Sequence, residues 1–150
     1  MRDPVFRYLR TLGCRHSLAE EIAQETFFRL HRALTDRSDV KDVRAWVFRV
    51  ARNLCIDSRR ERQRFVGGDP VDGSQTDSAP DPEQQAVARE RVRLVEREAL
   101  RLPELERACM HLKAQGLRYH EIAAALDISM ASAVDCVRRA VKRLGRRFSD

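Results

Sequence analysis

Apolar residues recur along this chain at intervals of three and four, which gathers them on one side of an α-helix, and no window alternates as a strand would. Pro4 to Gly13 (PVFRYLRTLG) predicts a first helix that ends at its glycine. Ser17 is a suitable N-cap for a second helix from Leu18 to Leu34, with Glu20 and Glu21 in its first turn, where the helix dipole favours acids. Its apolar stripe is Ile22, Thr26, Phe27, Leu30 and Leu34. A polar loop, Thr35 to Asp42, leads into a third helix from Val43 to about Arg62.

The third helix has two distinct faces. Val43, Val47, Val50 and Leu54 cluster on one side, with Trp46 at its edge, and this side is expected to be core. Arg49, Arg52, Asn53 and Arg60 cluster roughly opposite. That face is cationic and carries one amide, so guanidinium forks can hold phosphates while Asn53 reads a base edge. A merely solvated face is the plain alternative.

Val66 to Gln85 (VGGDPVDGSQTDSAPDPEQQ) holds too few apolar residues to fold and reads as a flexible acidic linker. Helical spacing resumes at Ala86, with Ala88, Val92, Val95, Ala99 and Leu102 on one face. Pro103 restarts the pattern and Gly116 ends it. Tyr119 to Leu126 (YHEIAAAL) is a short helix, Asp127-Ile128 a tight turn, and Ser129 the N-cap of a longer basic helix. On that last helix Ala133, Val137, Ala140, Val141 and Leu144 form the apolar face. Ser132, Arg138, Arg139 and Lys142 remain outside it. This is the layout of a helix-turn-helix, whose second helix enters the DNA major groove. An ordinary helical hairpin with a solvated basic face has the same pattern. The fold class is therefore all-α: two small helical domains, residues 1–65 and 86–150, joined by the linker 66–85.

Charge sharpens the division. The net charge of +6 is segregated: residues 1–65 carry +6, residues 66–85 carry −5 and residues 86–150 carry +5. Two basic bodies around an acidic connector suit two contacts with a polyanion and a middle that avoids it. The four cysteines, Cys14, Cys55, Cys109 and Cys136, lie far apart, and with the four histidines they show no zinc-ligand spacing. They are expected to be small buried hydrophobes in a reducing cytosol. No nucleophile–base pairing, phosphate loop or metal cluster stands out, so no catalytic residue, metal or cofactor is expected, and an enzyme is disfavoured. No apolar run is long enough to span a bilayer, which predicts a cytoplasmic protein without membrane insertion.

Two longer strings narrow the reading. AEEIAQETFFRLHRAL followed by VRAWVFRVARNLCIDSRRER resembles region 2 of bacterial RNA polymerase sigma factors. LPELERACMHLKAQGLRYHEIAAALDIS resembles region 4 of the same proteins. Two such domains on a short linker are similar to the compact extracytoplasmic-function (ECF) class. The resemblance implies that residues 1–65 bind core polymerase and the −10 element, and that residues 86–150 bind the −35 element. Glu21, Ile22, Gln24 and Glu25 would then dock on the β and β′ subunits of core polymerase, with an exposed Ile22 as apolar anchor. Arg49, Arg52, Asn53 and Arg60 would capture the melted −10 strand, and Ser132, Arg138, Arg139 and Lys142 would meet the −35 duplex. Trp46 is expected to pack in the core. An anti-sigma factor is a further possible partner.

Three departures from the family pattern stand out. Its members usually carry a further helix before the PVFRYLRTLG equivalent, so either the core of the first domain is expected to be less complete or the gene start lies elsewhere. Asp127 stands where glycine is usual, and Asp tolerates left-handed geometry. Val134, Asp135 and Cys136 stand where basic and small polar groups are usual, which weakens the −35 surface. Two other readings stand beside this one: a sigma-like decoy that keeps the fold and binds an anti-sigma factor without using DNA, and a stand-alone helix-turn-helix regulator whose first domain serves dimerisation or sensing.

Overall fold

A computed structural model describes residues 2–36, 39–65 and 86–148 of the chain; the acidic linker expected at 66–85 lies outside the described residues. Seven helices and no strand are found among them: α1 (Arg2–Thr11), α2 (His16–Thr35), α3 (Val43–Phe65), α4 (Ala86–Ala99), α5 (Glu104–Ala114), α6 (Tyr119–Leu126) and α7 (Met130–Phe148).

The helix ends follow local chemistry. Gly13 takes φ +93° after α1, and the Cys14 N–H donates to the Leu9 carbonyl at 3.0 Å, which closes the turn. That turn leaves Arg15 extended as the N-cap of α2, so the helix begins before Ser17 and the expected serine cap is not used. Glu20 and Glu21 consequently fall one turn in. α5 begins at Pro103, whose fixed φ suits a helix start, and ends at Gly116 with φ +90°. Asp127 adopts the left-handed conformation (φ 55°, ψ 47°) that its place between α6 and α7 demands. The Ser129 hydroxyl accepts the Ser132 N–H at 3.1 Å and so caps α7 as expected.

The helices on either side of the linker meet along a buried seam. α1 and α3 pack against α5 and α6, and one apolar cluster runs from Val5 through Phe48, Cys55 and Leu112 to Val137. This explains why α3 buries more than its valine stripe. Val47 is buried and Val43, Trp46 and Leu54 pack at the edge, but Phe48, Ala51 and Cys55 are buried as well, because α3 has partners on two sides. Polar contacts bridge the seam: Arg59 pairs with Glu104 at 2.9 Å, and Arg44 donates to the Gln115 carbonyl at 2.8 Å.

Three expected apolar positions are not buried, the first being Leu34 in the last turn of α2, which is 55% exposed. Val141 on α7 is 57% exposed and Val95 on α4 is 42% exposed, because α4 covers only part of α7. Ala133, Val137 and Ala140 carry the α7 contact instead, with Leu144 half-buried.

Candidate polymerase and nucleic-acid interfaces

α2 supplies the first surface. Its core-facing stripe is Ala19, Ile22, Ala23 and Thr26, and the buried Thr26 hydroxyl donates to the Ile22 carbonyl at 2.8 Å. Ile22 is only 6% exposed, so the expectation of an exposed isoleucine anchor is corrected: the three-and-four spacing that puts Ile22 beside Ala19 and Ala23 turns it inward. Glu21, Gln24 and Glu25 do face solvent, and Glu25 pairs with Arg29 at 3.0 Å. One turn beyond Gln24 and Glu25, on the same stripe, Phe28 is 56% exposed with the Arg32 guanidinium 6.0 Å from its ring centroid. The seven-residue offset of Phe28 from Glu21, two helical turns, is the sequence signal that places it on the polar face.

α3 supplies the second. Arg49, Asn53 and Arg60 are exposed and succeed one another at four and seven residues, on one side of the helix. Arg52 departs from that group. It is half-buried and turned towards the seam, where its charge acts on Tyr8 and Cys109. The expected four-residue face is thus an open set of three plus one half-buried arginine.

α7 supplies the third. Ser132, Arg138, Arg139 and Lys142 are all exposed, but their electrostatics are not those of an open basic face. Asp135 pairs with Arg138 and also with Arg139, the latter at 3.4 Å. Glu106 on α5, 4% exposed, holds Arg139 at 3.9 Å and Arg143 at 3.5 Å. Those ion pairs link α7 to α5 and partly offset two cations whose guanidinium groups stay about half exposed. Lys142 has no ion-pair partner among the described residues. Val134, at the centre of the outward face, is 39% exposed.

Asp42, His120 and Glu121 bring three potential ligand atoms within 4.8 Å of one another across the seam. Each carboxylate is already committed to a helix start. Asp42 accepts the Ala45 N–H at 3.1 Å and Glu121 accepts the Arg118 N–H at 3.0 Å. Both therefore sit where helix dipoles favour anions and oppose a cation, so the trio reads as two caps meeting rather than as a metal site. The cysteines also depart from expectation. All four are buried as foreseen, but Cys14 and Cys55 bring their sulfurs to 2.7 Å, a juxtaposition their separation in sequence concealed.

The described residues form an all-helical body that ends in a helix-turn-helix, and residues 1–65 match the family Sigma-70 region 2. The chain is 32% identical over 140 residues to the RNA polymerase sigma factor NccH of Alcaligenes xylosoxydans xylosoxydans, covering 90% of this chain and 75% of that protein. It is 28% identical over 158 residues to the ECF RNA polymerase sigma factor BldN of Streptomyces coelicolor, covering 99% of this chain and 57% of that one. The chain belongs to the RNA polymerase sigma factors, in the ECF class. Its fold is similar to that of the sigma factor RpoE, solved in complex with the anti-sigma factor NepR from Bartonella quintana (TM-score 0.73, 19% identity, 97% of this chain and 89% of that). It is also similar to that of CnrH in complex with the cytosolic domain of CnrY (TM-score 0.65, 22% identity, 97% and 80%). Members of this family are regulators of transcription rather than enzymes. No helix among the described residues is long and apolar enough to cross a membrane.

Proposed function

We propose that this chain binds core RNA polymerase in the cytoplasm, recognises −35 and −10 promoter elements and promotes DNA melting, without catalysing a reaction itself. The observation that carries this reading is the open α3 stripe Arg49–Asn53–Arg60, on a helix packed against the one that exposes Glu21, Gln24 and Glu25. Guanidinium groups along one side of a helix track a phosphate backbone, and an exposed amide reads the edge of an unstacked base. Residues 1–65 are assigned the polymerase and −10 contacts, and residues 86–150 the −35 contact. On α2, Glu21, Gln24 and Glu25 offer acceptors to a basic partner, and Phe28 rather than Ile22 offers the apolar anchor. Ser132, Arg138, Arg139 and Lys142 are the groups proposed to meet the −35 duplex. An anti-sigma factor is a proposed partner, by analogy with the two similar folds solved with one.

A second reading, in which the helix-turn-helix does not meet DNA and the chain acts through an anti-sigma factor alone, draws on Asp135. Its ion pairs with Arg138 and Arg139 offset the cations that duplex binding needs.

The deciding experiment is competition between the purified chain and a housekeeping sigma factor for bacterial core polymerase. Displacement of the housekeeping factor is expected. A folded chain that fails to compete overturns the polymerase reading.

A further inference from the structure

We infer that Cys14 and Cys55 form a modification site, a dithiol that a small oxidant of the peroxide class closes into a disulfide stapling α3 to the α1–α2 turn. This inference does not depend on the promoter-recognition reading. It rests on placement. The two sulfurs lie 2.7 Å apart, well inside the ~3.5–4.0 Å of ordinary non-bonded carbon contacts and within about an ångström of an S–S bond.

Both partners are held where they are. Cys14 follows the left-handed Gly13, donates its N–H to the Leu9 carbonyl at 3.0 Å, and accepts from the Arg10 guanidinium at 3.0 Å. Cys55 is buried on α3 one turn before Arg59, whose side chain spans the seam to Glu104. The two cysteines are separated by 41 positions that include all of α2, so a bond between them closes a loop around the helix that carries Glu21, Gln24, Glu25 and Phe28.

The surroundings also separate the roles of the two thiols. The thiol–thiol hydrogen bond, helped by the charges of Arg59 and Arg52, holds the Cys55 thiol below its ordinary range, while the same bond and burial push Cys14 up. Arg52 and Arg59 both act on Cys55, which favours it as the attacking thiol, and the same cross-link forms if the order is reversed. Cys109, a neighbour of Cys136, is likewise pushed up, to about 12, by burial with Cys136 adding to it.

The chemistry balances with peroxide as the only co-reactant. The Cys55 sulfur attacks one peroxide oxygen, the O–O bond breaks, and hydroxide leaves, giving a sulfenic acid. The Cys14 sulfur then attacks the Cys55 sulfur, the S–O bond breaks, and the departing hydroxide and the Cys14 proton leave as water. Two thiols and one peroxide become one disulfide and two waters, with both electrons passing to the peroxide oxygens.

The test is a hydrogen peroxide titration of the full chain, followed by alkylation of remaining thiols, intact mass measurement and peptide mapping. The expected result is the loss of two hydrogens, a cross-linked peptide joining Cys14 to Cys55, and full reversal by dithiothreitol. The oxidised chain is also expected to melt at a higher temperature than the reduced one, with the difference removed by reductant. Cys14→Ala and Cys55→Ala should each lose the cross-link, and Cys109→Ala should keep it. The inference is overturned if Cys14 and Cys55 both remain fully alkylatable after peroxide, or if they accumulate only as separate sulfinic or sulfonic acids. Mapping the parent chain decides the matter even where a variant fails to fold.

Discussion

His111 on α5 shares a hydrogen bond with Thr11 on α1, 3.2 Å between Nδ1 and Oγ1, one hundred residues away along the chain. The imidazole also lies against Tyr8, with ring centroids 5.7 Å apart, so it belongs to the seam between the two halves. Burial, and then the charge of Arg7, push its pKa down to about 4. The unfolded chain, with an ordinary histidine, binds this proton first as pH falls. Stability is therefore complete above about pH 6.5 and declines towards pH 4, by on the order of 2–3 kcal/mol. Melting curves of the parent and of His111→Gln should diverge over that window, with the variant less acid-sensitive. Parallel curves would move the acid sensitivity to other groups.

The α2 correction separates a stability residue from a binding residue. Ile22→Ala should cost about 2–5 kcal/mol of stability, as for other buried aliphatic truncations. Phe28→Ala, at an exposed position, should leave stability within about 0.5 kcal/mol yet weaken polymerase binding by roughly 1–2 kcal/mol, a five- to thirtyfold rise in Kd. Denaturant melts alongside a polymerase titration check both. A Phe28→Ala variant that binds like its parent removes Phe28 from the interface.

Much of this arrangement is legible in the sequence, because three-and-four spacing, Gly13, Gly116, Pro103 and Ser129 act locally. What escaped notice depends on contacts between distant segments. Nothing near Arg52 signals that α6 packs over α3 and brings Cys109 of α5 close to it, so its exclusion from the cationic face is a tertiary effect. The Cys14–Cys55 approach is hidden for the same reason. Ile22 is different: its spacing from Ala19 and Thr26 already argued for burial, and the family resemblance drew it outward. Ser17 lost its role as a cap when the Gly13 turn fixed where α2 starts.

The seam bears on promoter binding. The −35 and −10 elements are about 25 base pairs apart, roughly 85 Å of duplex, whereas a folded body of this length is roughly 35–40 Å across. Both surfaces reach their elements together only if α1 and α3 part from α5 and α6. A donor–acceptor dye pair at the exposed Glu61 and Lys113 should show high energy transfer in the free chain and a marked fall on a polymerase–promoter complex. Unchanged transfer would mean that the seam stays shut.

Asn53 is the amide in the open α3 stripe. Asn53→Ala should slow promoter opening by about tenfold or more while leaving core-polymerase affinity intact, because a base-edge contact contributes about 1–3 kcal/mol. Permanganate reactivity of the −10 thymines measures opening directly. Equal reactivity with parent and variant would remove Asn53 from base capture.

The recognition helix offers the sharpest division between the two readings. Asp135 occupies Arg138 and Arg139, and Val134 leaves the centre of the outward face uncharged. If this face meets phosphates, Asp135→Asn should release Arg138, remove one of the two acids on Arg139, and tighten binding to a −35 duplex. Val134→Lys should add a contact and steepen the slope of log K against log salt by roughly 0.9, the value for one neutralised phosphate. Glu106 keeps its hold on Arg139 and Arg143 in both variants, so the fold of α7 should not change. Fluorescence anisotropy across a salt series reads affinity and slope together. If neither quantity moves in either variant, this face is not in contact with DNA, and the anti-sigma reading gains what the −35 reading loses.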